Sequence, residues 1–146
     1  MPKNDFDEFV EKLQQEIIDQ ELADFNDRIV ELFHNPPNWG KPPDNEITTS
    51  YEYKGPCGDL MQFFLKIKEG VIEKANFITD GCGATVAAGS QATLLIEGKT
   101  INYAEQLKPE DIEEPLNGLP EDHKHCAELA IRTLKLAIQK YKNNET

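Results

Sequence analysis

Basic residues are scarce in this sequence: 15 Lys and Arg stand against 27 Asp and Glu in 146 residues, a net charge of −12. A phosphate backbone is gripped by replacing its counterions with Lys and Arg, so this balance argues against nucleic-acid binding. No apolar run approaches the ~18 residues that suggest a membrane span, and no membrane insertion is expected. The opening residues, Met1-Pro2-Lys3-Asn4-Asp5, lack the basic-then-apolar pattern of an export signal, so the expected compartment is the cytoplasm. Only three cysteines occur. An odd number with no export signal argues against a disulfide framework. No Cys-x-x-Cys pair is present to build a zinc-finger knuckle.

Apolar residues make up 38 % of the chain, slightly low for a globular protein but well above a disordered composition. The length suits one domain with one core. The charge is uneven: residues 1–46 carry twelve acids and four bases (12 − 4, hence −8), and residues 47–146 carry fifteen and eleven (15 − 11, hence −4). Such an excess suits docking on a basic protein surface. It equally describes a solvated helix that charge keeps soluble.

Apolar spacing predicts helix over residues 5–33, through Phe6, Phe9, Val10, Leu13 and Ile17, then Leu22, Phe25, Ile29, Leu32 and Phe33. It is one helix, or two with a break near residues 19–24. Asp5 and Glu8 resemble a capping box, and Asn35-Pro36-Pro37 must end the run, because proline removes an amide donor and restricts its predecessor. Residues 35–46 read as a connector, with Trp39 as a packing anchor. Over residues 47–80, Thr49, Tyr51 and Tyr53 alternate, as do Met61, Phe63, Leu65 and Ile67. Val71, Ala75 and Phe77 are expected to share a face, after a turn at Glu69-Gly70. Helices are expected at 83–97, rich in Ala and Gly and stopped by Gly98, and at 121–141, with Cys126, Leu129, Ala130, Thr133, Leu134, Ala137, Ile138 and Tyr141 as the apolar stripe. The order of helix, strands and helices makes the fold class α+β.

Each cysteine lies at an element boundary. Cys57 sits in Gly55-Pro56-Cys57-Gly58-Asp59 between two strands, Cys82 in Asp80-Gly81-Cys82-Gly83 where strand gives way to helix, and Cys126 in His123-Lys124-His125-Cys126 at the start of the last helix. Glycine beside a thiol permits close backbone approach to a ligand and unusual φ/ψ. A thiol at a helix start gains thiolate character from the free amides. A single cysteine on an apolar stripe, as Cys126 is, is ordinarily core; three at boundaries, each beside Gly or His, point to one converging site. Asp59 and His125 are each placed to complete it, with a carboxylate or an imidazole. His34 and His123 read as surface residues and receive no role.

These segments resemble the iron–sulfur cluster scaffold proteins of the IscU type, also found as the N-terminal domain of NifU. The similarity rests on Asn35-Pro36-Pro37-Asn38-Trp39-Gly40, Cys57-Gly58-Asp59, Gly81-Cys82-Gly83, and Leu119-Pro120 through His125-Cys126. It runs from near Ile29 to about Ile138. It implies a three-stranded antiparallel sheet packed against helices over residues 29–146, with residues 1–28 as an extra acidic N-terminal helical segment; short family members lack residues 1–23. It implies a transient [2Fe–2S] or [4Fe–4S] cluster on Cys57, Cys82 and Cys126, with Asp59 or His125 as a further ligand, and zinc on the same residues in purified protein. It implies a pyridoxal-phosphate cysteine desulfurase as sulfur donor and apo-proteins as recipients.

The chain departs from the family at Leu119-Pro120-Glu121-Asp122-His123, which replaces the Leu-Pro-Pro-Val-Lys segment read by a dedicated heat-shock chaperone, and this counts against that partner. Pro37 replaces the family's arginine. The N-terminal segment is expected to cover the domain or to mediate self-association as a homo-oligomer.

Thiolates select iron–sulfur clusters and zinc over hard cations. Three of them plus one weaker ligand form a site that can release its cargo. Sulfur transfer requires an exposed, low-pKa thiol, and Cys126 beside His125 is the first choice for the acceptor. The competing reading is a zinc-stabilised interaction module. A thiol enzyme using a His125–Cys126 pair is the weakest option, since helix neighbours point about 100° apart and no orienting acid is evident.

Overall fold

The apolar alternation between residues 47 and 80 produces one antiparallel sheet, ordered β1-β2-β3, from β1 (Thr49–Lys54), β2 (Leu60–Lys68) and β3 (Val71–Thr79). The structure, a computed structural model, describes residues 5–13, 26–56 and 58–144. The β2–β3 turn passes through Glu69 and Gly70, both at positive φ (54° and 77°), the two-residue geometry whose twist matches paired strands. Pairing runs from Met61↔Thr79 to Lys66↔Lys74 and then shifts, so that Ile67 meets Ile72. Glu73 is the extra residue of a β-bulge, and a bulge resets the alternation beyond it. This corrects one expectation: Ile72, not Val71, is buried with Ala75 and Phe77.

Among the described residues six α-helices accompany the sheet: α1 (residues 5–13), α2 (Asp27–His34), α3 (Gly83–Ile96), α4 (Ile101–Glu105), α5 (Pro109–Glu113) and α6 (His125–Asn144). The helix expected over 5–33 is thus helical at both ends, and the suggested break near residues 19–24 lies outside the described residues. Phe6, Phe9 and Leu13 of α1 are exposed. Asn26 caps α2 by accepting from the Ile29 amide at 3.0 Å, while its own side-chain amide donates to the Leu116 carbonyl at 2.7 Å. One residue therefore starts α2 and ties it to the chain beyond α5. Ile29 and Leu32 then enter the core.

α3 is buried on nearly all sides: eleven of its fourteen residues are inaccessible. Its small residues make this possible, since Ala84, Ala87, Ala88, Gly89 and Ala92 let the backbone approach its neighbours closely. A Cβ at Gly89 would stand 2.6 Å from the Phe77 ring. Gly98, at φ 79°, follows the helix as its stop. α6 covers β1 and β2 with the expected stripe, and Thr49 Oγ1 donates to the Ala137 carbonyl at 3.1 Å in the interior. The last helix opens later than expected. Pro120 leads into a 3-10 turn at Glu121–His123, and regular α-helix begins only at His125. Between them, α4 and α5 occupy a stretch for which the apolar pattern assigns no element.

β3 would be an open edge, a template for unwanted pairing. Two connectors cover it. Asn38 and Gly40 bond to the Phe77 backbone at 3.1 and 2.9 Å, and Gly98 and Lys99 bond to Ile72 at 2.7 and 2.8 Å. Trp39 packs edge-on against Phe77 at 5.3 Å, the anchoring role expected of it. Among the described residues no helix is long and apolar enough to cross a membrane.

The contact between Gly89 and Phe77 is open to test. Phe77 is wedged between Trp39 and Phe63 and cannot yield. Gly89→Val is expected to lose about 2 kcal/mol through overpacking, read as a lower urea midpoint at unchanged slope. An unchanged midpoint would show that α3 tolerates a larger side chain against β3.

Candidate metal centre

Three elements end at the same corner of the molecule. Cys82 is the N-cap of α3, with extended backbone (φ −72°, ψ 179°), and its side chain is exposed. Cys126 is the second residue of α6 and is fully buried. His123 closes the 3-10 turn before α6. The two sulfurs and a ring nitrogen of His123 lie within 4.8 Å of one another. His123 Nδ1 is 3.7 Å from Cys82 Sγ, and His125 Nε2 is 3.8 Å from Cys126 Sγ.

Thr85 joins the group from below. Its hydroxyl, fully buried on the first turn of α3, lies 3.2 Å from Cys126 Sγ and 3.6 Å from Cys82 Sγ, and donates to Asp59 Oδ2 at 3.3 Å. A hydroxyl has one proton, so Asp59 and the two sulfurs compete for it. Gly81 makes room for this residue: a Cβ there would fall 2.6 Å from Thr85. Gly83 similarly admits the Phe33 ring, which a Cβ would approach to 3.1 Å. The glycines flanking Cys82 therefore serve side-chain packing, and neither has a positive φ. Gly58 does, at 92°, in a loop closed by bonds from Gly55 N to the Asp59 carbonyl (2.8 Å) and from Gly58 N to the Gly55 carbonyl (2.9 Å).

The two thiols divide one proton unequally. Hydrogen bonding with the Cys126 thiol holds the Cys82 thiol down to about 4, against burial; Thr85 and the first amides of α3 add to the effect. Cys126 moves far above the usual thiol range, because its proton is held by the Cys82 thiolate and its site is buried. Asp59 adds negative charge on the same side. At neutral pH the pair is one exposed thiolate and one enclosed thiol.

Against the expected site, the structure brings Cys82 and Cys126 together, sets His125 against Cys126, and links Asp59 to both sulfurs through Thr85. Cys57 lies outside the described residues. Two residues were missed. Thr85 carries no chemical signal in the sequence, although its place three residues after Cys82, one helical turn on, is compatible with contact. His123 read as a surface residue because its approach to Cys82 spans 41 positions. The first choice of sulfur acceptor, Cys126, meets neither requirement in this conformation, being buried and protonated; Cys82 meets both.

The family model described as NifU-like N terminal domain matches residues 24–146. The chain is 36 % identical to the iron–sulfur cluster assembly scaffold protein IscU of Azotobacter vinelandii, covering 83 % of this chain and 96 % of that protein. It is 35 % identical to the protein of the same name from Escherichia coli, covering 82 % and 94 %. Among solved structures, a NifU-like protein (N-terminal) from Brucella abortus superposes with a TM-score of 0.62 at 19 % identity, covering 81 % of this chain and 94 % of that one, which speaks to the fold.

The unequal thiols generate a prediction for the metal-free, reduced chain. A thiol near 9 gains reactivity about tenfold per pH unit below that value. Cys82, already thiolate above about 4, is expected to alkylate at a nearly constant rate from pH 6 to 9 and to slow only in acid. Cys126 is expected to resist throughout. Peptide mapping after iodoacetamide treatment reads both. A tenfold rise per pH unit at Cys82 would refute the shared proton.

Proposed function

The chain belongs to the NifU-like N-terminal domain family, and on that footing we propose that it is a scaffold, not an enzyme, on which iron–sulfur clusters are assembled and from which they are released. The observation that carries this reading is the convergence of Cys82 and Cys126 at an open corner, with Asp59 wired to both through Thr85. The cluster is cargo. Cys57, Cys82 and Cys126 hold it, with Asp59 or His125 as the further ligand, and residues 1–28 are an acidic extension to a scaffold spanning 29–146.

Sulfur comes from a cysteine desulfurase. A scaffold thiolate attacks the outer sulfur of the donor's persulfide; a new S–S bond forms on the scaffold and the donor leaves as a thiolate. In this conformation Cys82 is the thiolate exposed for that attack. Apo-proteins then take the cluster. The relatives' name supports the scaffold role, and the donor set suits it: soft thiolates match iron–sulfur chemistry, whereas a carboxylate is harder and hydrated. Glu121-Asp122-His123, in place of the family's Pro-Val-Lys, counts against a dedicated chaperone as partner.

Anaerobic incubation with ferrous iron, cysteine and a desulfurase is expected to build a visible cluster chromophore that passes to an apo-ferredoxin. Binding of zinc alone, with no chromophore, would favour the structural zinc module instead.

Asp59 tests the release step. If its carboxylate makes the cluster labile, Asp59→Ala should hold the reconstituted cluster several-fold longer and transfer it more slowly, with melting temperature nearly unchanged. A carboxylate that serves only as acceptor for Thr85 would show a lower melting temperature, by about 1 kcal/mol of stability, and a cluster decaying as fast as in the wild type. Equal or faster decay defeats the lability role.

A further inference from the structure

Two imidazoles face this corner, and they do not face it alike. The turn at Glu121–His123 is held by the bond from His123 N to the Pro120 carbonyl at 2.8 Å, and α6 starts two residues later with His125. The rings stack at 6.3 Å with an interplanar angle of 29°. His123 presents Nδ1 to the exposed sulfur of Cys82, and His125 presents Nε2 to the buried sulfur of Cys126. The group whose donor atoms lie within 4.8 Å of one another contains His123 with both sulfurs.

We propose that a borderline-soft divalent cation entering this pocket is bound by Cys82 Sγ, Cys126 Sγ and His123 Nδ1, so that His123 is a metal ligand of this chain. In a tetrahedral zinc site, metal–sulfur bonds of ~2.3 Å and metal–nitrogen bonds of ~2.0–2.1 Å place neighbouring donors roughly 3.5–3.8 Å apart. The separation of 3.7 Å between Cys82 Sγ and His123 Nδ1 is already such an edge. The widest separation in the trio, at most 4.8 Å, needs to close by only about 1 Å. Any thiol proton on either sulfur is released to solvent as that sulfur becomes a thiolate ligand. The trio leaves a fourth position open.

His123 suits the task for a local reason. It lies on a short 3-10 turn whose flanks are fixed by Pro120 on one side and by the first turn of α6 on the other. Its backbone is therefore held in place, and its side chain is partly exposed, 3.7 Å from the exposed Cys82. A ligand at this rim is the one an incoming ion meets first. His125 flanks the buried sulfur.

This inference rests on the reading of the pocket as a thiolate metal site and is independent of whether clusters are assembled there. The test uses zinc and cobalt(II) on the full-length reduced chain. Chelator competition should show zinc affinity at least about tenfold weaker in His123→Ala, against a change within about threefold in the control His34→Ala, a scale set by the effect of disturbing metal-site residues. The cobalt d–d spectrum should change form in His123→Ala and keep it in His34→Ala. Far-UV circular dichroism confirms that both variants fold. On the unmutated chain, ring-¹⁵N spectra should place the zinc-induced shift at Nδ1 of His123, a readout that needs no variant. Unchanged affinity in His123→Ala, a loss in His34→Ala as large as in His123→Ala, or a zinc-induced shift at His125 with none at His123 would overturn the proposal. Zinc binding that depends on His123 in a chain that builds no cluster would end the scaffold reading and leave this one standing. A cluster-building chain indifferent to His123 would do the reverse.

Discussion

α3 rests on β3 at Gly89, where even a methyl group would fall 2.6 Å from the Phe77 ring. That approach sets the depth of the whole helix, since α3 touches the sheet, α2 and α6 together. A helix buried on nearly all sides has no polar face to turn outward, and α3 accordingly carries no charged side chain between Gly83 and Ile96. Phe77 is pinned in turn by Trp39 outside and Phe63 inside. The same strand is edged by Asn38 and Gly40. The connector that opens the family-like part of the sequence thus braces the strand on which the central helix lies.

Seating α3 in this way delivers Cys82 to the corner where β2 begins and α6 starts. Chemistry there turns on Thr85. One hydroxyl at the first turn of α3 reaches two sulfurs and a carboxylate, and it fits only because residue 81 has no side chain. The thiols it touches are inequivalent: one is exposed and ionised, the other enclosed and protonated. An exposed sulfur beside a buried one, with a carboxylate joined to the pair through a shared hydroxyl, is the donor set on which the proposed scaffold role rests.

Much of this was legible in the chain. Period-two alternation placed the strands, and period 3.6 placed α6 with its stripe. The three cysteines announced themselves by standing at element boundaries beside Gly or His. Other features had no one-dimensional signature. The bulge at Glu73 exchanges Ile72 for Val71 in the core, because a single unpaired residue inverts a pattern that alternation can only extend. α4 and α5 are five residues each, too short for a periodicity to declare itself.

The sequence by itself determined which residue types are available for chemistry and where the backbone must turn, since both depend on local composition: soft thiols, glycines and prolines at the boundaries, and an acidic surface unsuited to phosphate. The tertiary structure alone decided which of those groups meet, and with what charge. Thr85, His123 and Asp59 acquire their parts through contacts spanning 26 to 41 positions. The exposure of Cys82 and the burial of Cys126 follow from how α3 and α6 pack. Proximity and burial govern ionisation and ligation, and neither is a property of a residue's neighbours along the chain.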